Sequence, residues 1–460
     1  MSPTQILLGL LPRTIEGRLR RLDQHHKSIA RGLLIVGIFV FLGKLAGAAK
    51  EMAVAWRYGV SDIVDAYLFV FNLAQWPVSV FGGILSVVLI PFAARLRRDH
   101  PDSFQSFRAE ITTATLLIGG VIGILFFATI PWLVAQPWIG LAPAQIGYAR
   151  PMALGLSLSV PLGILAQLLS TWTMAANRHI NTFLEAGPAI AILCGVLIFG
   201  GSAPLIWGTV VGFAIQASLL WVLLHRKGEI EHPALSFHSM HWKAFLAGFG
   251  IMAIGQVLTT TTGLVDQFFA AHMGQGAIAI LGYSNRILSL ILALGATAIA
   301  RSTLPIFSNL PSHFSREVVT IAWKWAQIMF ALGVILLLVG WIFSQDIISL
   351  LFQRGAFSVQ DTRAVSEILR YSLIQIPFYF SSMVLIYGIL SQGRYKFAAS
   401  LGGINLITKI ITSYIFSSLY GLRGLVIASS TVYVVSCVIV MFVFLKEMRS
   451  KADGNMSGIQ

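Results

Sequence analysis

Residues 63–94 read IVDAYLFVFNLAQWPVSVFGGILSVVLIPFAA, and this stretch contains a single charged residue, Asp65. An α-helix rises about 1.5 Å per residue, so about 20 apolar residues cross the roughly 30 Å hydrocarbon layer of a membrane. The stretch exceeds that length and carries almost no charge. It therefore predicts a transmembrane helix.

The same pattern recurs along the whole chain. Its 460 residues are 56% hydrophobic and 11% charged, with a mean hydropathy of +0.80, whereas soluble domains contain about 25% charged residues. This composition excludes a soluble globular protein and predicts an all-α polytopic membrane protein with about 12 transmembrane helices. The apolar runs lie at residues 31–55, 63–94, 111–136, 150–174, 182–201, 203–224, 244–271, 277–308, 320–344, 366–391, 397–419 and 423–445.

Two halves of six predicted helices each match one another at an offset of about 215 residues. An even number of helices per half gives both copies the same topology, so an axis along the membrane normal relates them and a cavity lies between them. That arrangement is expected of an alternating-access transporter. The matching pairs are Glu51 and Asp266, Gly59 and Gly274, Pro91 and Pro305, Pro161 and Pro377, and Arg178 and Arg394.

The basic residues predict how the chain is oriented. The net charge is +14, and 21 basic residues lie on the predicted cytoplasmic side against seven on the opposite side. This excess places both termini in the cytoplasm. The predicted organisation is a basic cytoplasmic leader (1–30), an N-terminal six-helix lobe (31–225), a cytoplasmic linker (226–243), a C-terminal six-helix lobe (244–446) and a cytoplasmic tail (447–460).

Charged residues within the predicted helices are the candidate functional residues, because a charge at the bilayer centre costs about 3 kcal/mol on insertion scales. Arg286 has no acid within one helical turn, so it needs an anionic ligand or a structural partner such as Asp65. Asp266 and Lys409 could satisfy each other within the second lobe. The full set is Lys44, Lys50, Glu51, Asp65, Glu185, Asp266, Arg286 and Lys409.

Signals for other chemistries are missing from the sequence. Cys194 and Cys437 lie in apolar runs, and the four histidines between residues 225 and 241 lack a zinc spacing, so no metal site is predicted. Walker A, HExxH and GxSxG motifs do not occur. An enzyme such as a lipid-linked glycosyltransferase would also need an acidic catalytic motif in a sizeable loop. The chain is therefore predicted not to be an enzyme.

Three stretches of the sequence are similar to those of a known family. They read LGKLAGAAKEMAVAWRYGVSDIVDAYLFVFNL at 42–73, LVDQFFAAHMGQGAIAILGYSNRILSL at 264–290 and LFQRGAFSVQDTRAV at 351–365. They resemble the MviN/MurJ family of lipid-linked oligosaccharide flippases, within the multidrug/oligosaccharidyl-lipid/polysaccharide exporter superfamily. The resemblance implies a bacterial inner-membrane transporter that moves an undecaprenyl-diphosphate-linked, lipid II-like precursor to the outer leaflet by alternating access.

The resemblance also implies roles for individual residues. Lys44, Lys50 and Arg286 fall on the family's basic cavity positions, which are thought to hold the diphosphate. Asp65 falls on the family's second-helix aspartate. Asp65 and Glu51 are the expected charge partners, whose ion pairs form or break as the lobes move. The implied partners are the lipid-linked substrate, membrane lipids and cell-wall or polysaccharide assembly proteins, with no nucleic acid.

Three departures from the family concern the substrate. No Lys or Arg lies between Arg57 and Arg95, where members usually have a further arginine, and Asn285 replaces a common acid. Many members have fourteen helices, the last two framing a groove for the lipid tail, whereas twelve are predicted here. An exopolysaccharide or O-antigen repeat unit is therefore the alternative to lipid II.

A fourth departure concerns ion coupling. Members with a cation site in the second lobe use an acid in helix seven and an Asn-x-x-x-Asp pair in helix eleven, which correspond to Asp266, Asn405 and Lys409. We hypothesise that the Lys409 ammonium takes the place of the coupling cation. We therefore expect no cofactor and sodium-independent transport, with coupling to sodium or to the membrane potential as the alternatives.

Two more distant functions stay open at this point. A multidrug-type exporter of amphipathic cations predicts an acidic cavity, whereas the deep charges here are at least as basic as acidic. A non-transporting membrane scaffold for envelope assembly needs no buried charges at all.

Overall fold

The computed structural model describes residues 42–176, 184–308, 316–390 and 395–456. Within those ranges the regular elements are helices, and no strand occurs. This agrees with the predicted all-α class. The predicted leader at 1–30 and the repeat pair Arg178 and Arg394 lie outside the described residues.

The described helices are separated by turns and loops, and a 3₁₀ turn, Pro137–Ile139, precedes the fourth helix. In chain order they are α1 (42–58), α2 (Asp62–Asp99), α3 (Pro101–Leu133), α4 (Pro143–Leu156), α5 (Ser159–Ala175), α6 (Gly187–Ile198), α7 (Ala203–Arg226), α8 (Trp242–Ala271), α9 (Ala277–Ser308), α10 (Arg316–Phe352), α11 (Val359–Leu373), α12 (Gln375–Leu390) and α13 (Tyr395–Met456).

Eight stretches of the described residues are each long and apolar enough to cross a membrane, and the count is nine if α4 and α5, bent by 47°, are taken together as one span. The chain is therefore a multi-pass membrane protein. This measure gives fewer spans than the predicted twelve for three reasons. The described part of α1 is short, α6 has 12 residues, and α13 runs through two predicted spans without a loop.

Glycines lie at two of the boundaries between the predicted apolar runs. Gly421 lies between the predicted runs 397–419 and 423–445, and its φ of 59° and ψ of −135° interrupt α13. Glycine adopts that conformation readily, whereas a Cβ atom makes it costly. The other break is the sequence GGSAP at 200–204, which begins just after α6 and leads into α7.

The helices pack mainly within two halves, lobe 1 (α1–α7) and lobe 2 (α8–α13). In lobe 1, α2 packs against α4 and α5, α5 packs against α3 and α7, and α7 packs against α6. In lobe 2, α12 packs against α10 and α13, and α9 packs against α11 and α12. Between the lobes, α2 packs along α8 and, less extensively, against α9. Helix α2 is therefore a main support of the lobe interface.

One close helix contact occurs in both lobes. A Cβ atom on Gly119 of α3 would lie 3.2 Å from Pro161 Cα, and one on Gly333 of α10 would lie 2.5 Å from Pro377 Cα. Small residues let helix backbones approach this closely. Pro161 and Pro377 form one of the repeat pairs, so the two lobes share a packing contact as well as a sequence pattern.

The connection between the lobes is held against lobe 1 by Glu110 of α3. Glu110 is buried, and its carboxylate accepts four hydrogen bonds from this connection and from the start of α8. The predicted linker at 226–243 is therefore ordered along α3 and fixes where α8 begins. The four donors are Ser236 Oγ, the backbone N–H groups of His238 and Ser239, and Trp242 Nε1.

Candidate functional site

The two lobes touch at one end of the bundle through their loops. The Ala356 N–H donates to the Trp56 carbonyl at 2.8 Å, and the Tyr283 hydroxyl donates to the Gly59 carbonyl at 3.0 Å. Both hydrogen bonds cross from lobe 2 to lobe 1. These loops and the adjoining helix ends are called the closed end below; they comprise residues 56–62, 134–142, 272–276 and 353–358.

The contacts of the closed end follow the internal repeat. A Cβ atom on Gly355 would lie 2.3 Å from the Trp56 carbonyl oxygen, and one on Gly140 would lie 2.6 Å from the His272 ring. Trp56 and His272 occupy equivalent repeat positions, and so do Gly140 and Gly355. Gly355 of lobe 2 therefore meets Trp56 of lobe 1 in the same way as the equivalent Gly140 of lobe 1 meets His272 of lobe 2. Small residues at both contacts let the loops meet.

Asp65 is fully buried beside the closed end, where it binds the N-terminus of α9. Its Oδ1 accepts from the Ala279 N–H at 2.7 Å, and its Oδ2 accepts from the Gly276 N–H at 2.6 Å and from Gln145 Nε2 at 2.7 Å. The first N–H groups of a helix have no partner within the helix, and a carboxylate there is favourable. Asp65 of lobe 1 therefore anchors lobe 2, and its partners are these neutral groups rather than Arg286.

A cavity of about 530 Å³ lies between the lobes, beside the closed end. Its wall runs along α1 from Glu51 to Gly43, a distance of about 12 Å at 1.5 Å per residue. Lys44 and Lys50 differ by about 120° around α1, yet both line it. The described wall carries three cationic and two acidic side chains. They are Lys44, Lys50, Arg286, Glu51 and Glu185.

Glu51 lies between two cations on the cavity wall. Its Oε1 is 2.6 Å from Lys50 Nζ and 2.7 Å from Arg286 Nε. Lys50 is buried, whereas the Arg286 side chain is 41% exposed. Arg286 lines the cavity, and its ion pair engages Nε, so the two terminal N–H₂ groups of the guanidinium are left to bind an anion in a bidentate fashion.

The second-lobe residues form a separate buried cluster. Lys409 Nζ lies 2.5 Å from Asp266 Oδ1 and donates to Ser429 Oγ at 2.5 Å. Asn405, one turn earlier on α13, accepts from Ser436 Oγ at 2.6 Å. The structure thus brings Asp266 and Lys409 together as an ion pair within lobe 2.

Neutral residues complete the site, and no sequence motif marks them. Gln145 accepts from the Ala142 N–H at 2.9 Å near the start of α4 and also holds Asp65. Its position, three residues after the N-cap, is a capping signal, but that signal does not reveal the contact with Asp65. Gln75 and Gln167 line the cavity, and an uncharged amide in an apolar run has no pattern that marks it.

This architecture, two helical lobes around a central cavity, is that of solved membrane transporters. The lipid II flippase MurJ in an inward closed conformation superimposes with a TM-score of 0.77 at 20% identity, over 90% of each chain. An inward-facing MATE family transporter of the MOP superfamily has a TM-score of 0.71 at 15% identity, over 89% of this chain and 95% of the other. The chain therefore has the MurJ and MATE fold.

Sequence comparison then gives the family. The lipid II flippase MurJ family profile matches residues 54–458. A probable lipid II flippase MurJ of Bdellovibrio bacteriovorus is 26% identical over 91% of this chain and 83% of the relative. That of Vibrio cholerae is 24% identical over 88% and 80%. The chain belongs to the lipid II flippase MurJ family, which confirms the resemblance of the three stretches.

Proposed function

We propose that the chain is a bacterial inner-membrane flippase that moves an undecaprenyl-diphosphate-linked precursor, such as lipid II, by alternating access. The observation that carries this proposal is the cavity lined by Lys44, Lys50 and Arg286, in which Glu51 pairs with Lys50 and Arg286. A diphosphate is too costly to move through lipid unaided, and charge-assisted hydrogen bonds offset its loss of water. Membership of the MurJ family supports the same class of substrate.

The ion pair between Arg286 and Glu51 links substrate binding to lobe movement. Arg286 belongs to α9 of lobe 2 and Glu51 to α1 of lobe 1, so their contact joins the lobes. A diphosphate that binds Arg286 and Lys50 competes with Glu51 for the same cations. Substrate binding therefore weakens one contact between the lobes and favours the state in which the lobes have moved apart at the closed end.

The loop charges orient this cycle in the membrane. The excess of basic residues on one side favours a cytoplasmic location for both termini. The chain has about twelve spans when α1, α6 and the two parts of α13 are each counted as a span. The closed end then faces outward, and the cavity receives its substrate from the cytoplasmic leaflet. Opening of the closed end releases the substrate to the outer leaflet.

The charge of the cavity also bears on the alternative functions. A multidrug-type exporter shares the fold but binds cations, which an excess of Lys and Arg on the described wall disfavours. Lipid II and an exopolysaccharide or O-antigen unit share the diphosphate, so this site accepts either. We infer lipid II as the substrate from the family.

Equilibrium binding of lipids to the purified protein tests the proposal. We expect undecaprenyl diphosphate to bind about tenfold more tightly than undecaprenyl monophosphate, because the second phosphate adds charge-assisted hydrogen bonds worth about 1.5 kcal/mol. Native mass spectrometry measures both affinities. Equal affinities, or tighter binding of a lipophilic cation such as tetraphenylphosphonium, would contradict the proposal.

We also propose that Lys409 makes transport independent of sodium. Its ammonium lies against Asp266, and its side chain is only 3% exposed. A sodium ion at Asp266 would meet this fixed like charge at close range, which is strongly unfavourable in a low-dielectric interior. The membrane potential then stays available as a driving force.

The substitution Lys409→Asp is expected to create sodium dependence. The unmodified protein should translocate lipid equally fast in sodium and potassium buffers, whereas the variant has two facing carboxylates and should need sodium to neutralise them. Translocation in proteoliposomes with either salt measures this, and Lys324→Asp on α10 is the charge-matched control outside the pair. An unmodified protein that works only in sodium would overturn the idea.

A further inference from the structure

A second cavity of about 400 Å³ continues from the first, between α2, α8 and α9. The two cavities share Gln75, Arg286 and Ser289 on their walls. The polar lining of the second cavity is mostly neutral, in contrast to the cationic wall of the first. It includes Asn72, Gln75, Trp76, Gln267, Asn285 and Ser289.

Apart from Asp266 Oδ1, which is ion-paired with Lys409, three buried polar atoms of residues on this wall have no hydrogen-bond partner in the described part of the chain. Two are donors, Gln75 Nε2 and Trp76 Nε1, and one is an acceptor, Gln267 Oε1. Gln267 is only 7% exposed. Leaving such a group unpaired is destabilising, and native proteins pair nearly all of them with protein, ligand or water. The three side chains that carry these atoms all line this cavity, so a small side-chain rotation can turn the buried groups toward one ligand.

The second cavity suits a neutral polar ligand rather than an ion. Its charged wall residues, among those described, are Asp266 and Arg286, one of each sign, so the wall carries no net charge. Amides donate and accept hydrogen bonds, and an indole offers a flat apolar face with one N–H donor. A sugar presents the complementary groups, because its hydroxyls donate and accept while its C–H faces are apolar.

We propose that the second cavity is a saccharide subsite, which binds the sugar next to the diphosphate. This inference rests on the proposed function. Arg286 lies on the walls of both cavities, so a diphosphate bound to it places the attached sugar at the mouth of the second. Gln75, Trp76 and Gln267 then bind the sugar and determine which lipid-linked saccharides are accepted.

Binding of two probes to amide variants tests the subsite. The probes are lipid II, which carries sugar, and undecaprenyl diphosphate, which does not. We expect the unmodified protein to bind lipid II more tightly than undecaprenyl diphosphate. Gln75→Leu and Gln267→Leu should each weaken lipid II binding about tenfold, from the loss of one or two hydrogen bonds, and leave undecaprenyl diphosphate binding unchanged. Gln327→Leu, at an exposed position on α10, is the matched control outside both cavities and the closed end.

The outcomes separate this inference from the proposed function. Variants that bind lipid II as tightly as the unmodified protein overturn the subsite and leave a hydrated cavity. Equal loss of both probes also overturns it, because the residues would then act on the diphosphate. An unmodified protein that binds neither probe contradicts the proposed function itself. Trp76→Phe keeps a smaller aromatic face and removes the N–H donor, so a selective loss of lipid II binding would support the subsite if the Leu variants fail to fold.

Discussion

Replacing Arg286 by Ala is expected to slow lipid II translocation by at least about tenfold. Charge-assisted hydrogen bonds to a phosphate are worth about 1.5–3 kcal/mol, which corresponds to about 10- to 150-fold. The substitution also removes the ion pair that joins Arg286 of lobe 2 to Glu51 of lobe 1. The initial rate at which fluorescent lipid II crosses proteoliposome membranes, at matched amounts of protein, measures the effect.

Two further variants make this result specific to the cavity. Arg423→Ala removes an exposed arginine that pairs with Glu367 away from the cavity, so its rate should equal that of the unmodified protein. Arg286→Lys keeps the charge but loses the planar fork and should be intermediate. If Arg286→Ala folds normally and transports at the full rate, the diphosphate is not bound at this site.

Replacing Asp65 by Asn is expected to open the closed end. The carboxylate accepts from Gly276 and Ala279 backbone N–H groups and from Gln145, whereas an amide turns an N–H₂ group toward at least one of these donors. Losing a charged acceptor here costs about 2–3 kcal/mol, enough to shift the ratio of closed to open states by about 30- to 150-fold.

Cross-linking across the closed end measures this shift. Asp62 Oδ2 accepts from Gln275 Nε2 at 3.2 Å, and the half-buried Asp62 and the exposed Gln275 belong to different lobes. In a background with Cys194→Ser and Cys437→Ser, Asp62→Cys and Gln275→Cys should react readily with a short bifunctional thiol reagent, and adding Asp65→Asn should lower the yield. Asp346→Asn, an exposed position on α10, is the matched control. An unchanged yield with Asp65→Asn would show that Asp65 does not hold the lobes together.

Much of the helical framework could be predicted because membrane helices need long apolar runs. The predicted run 277–308 has the bounds of α9, and the gap between the last two runs contains the Gly421 kink. The family could also be recognised, because three stretches of the sequence resemble its members. These stretches lie in the loops and helices that form the closed end and the cavity. Composition and spacing were sufficient for the helices, whereas the family rests on the resemblance of these stretches.

Partners across the lobe interface could not be predicted in the same way. Sequence spacing determines which residues share a face of one helix, but Arg286 and Glu51 lie on helices of different lobes. Asp65 binds backbone N–H groups, which every residue except proline carries, so no residue type reveals this contact. The neutral amides of the second cavity lack a distinguishing pattern for the same reason. The Asp266 and Lys409 pair could be anticipated because two opposite charges lay within one apolar lobe.

Reversible locking of the closed end during lipid II translocation tests alternating access through this cavity most directly. The protein with Asp62→Cys and Gln275→Cys is cross-linked by a reagent that contains a cleavable disulfide, reconstituted into vesicles and supplied with fluorescent lipid II. We predict that translocation stops while the cross-link holds the lobes together and resumes when a reducing agent cleaves it. Translocation that continues at the same rate in the locked protein would contradict the account.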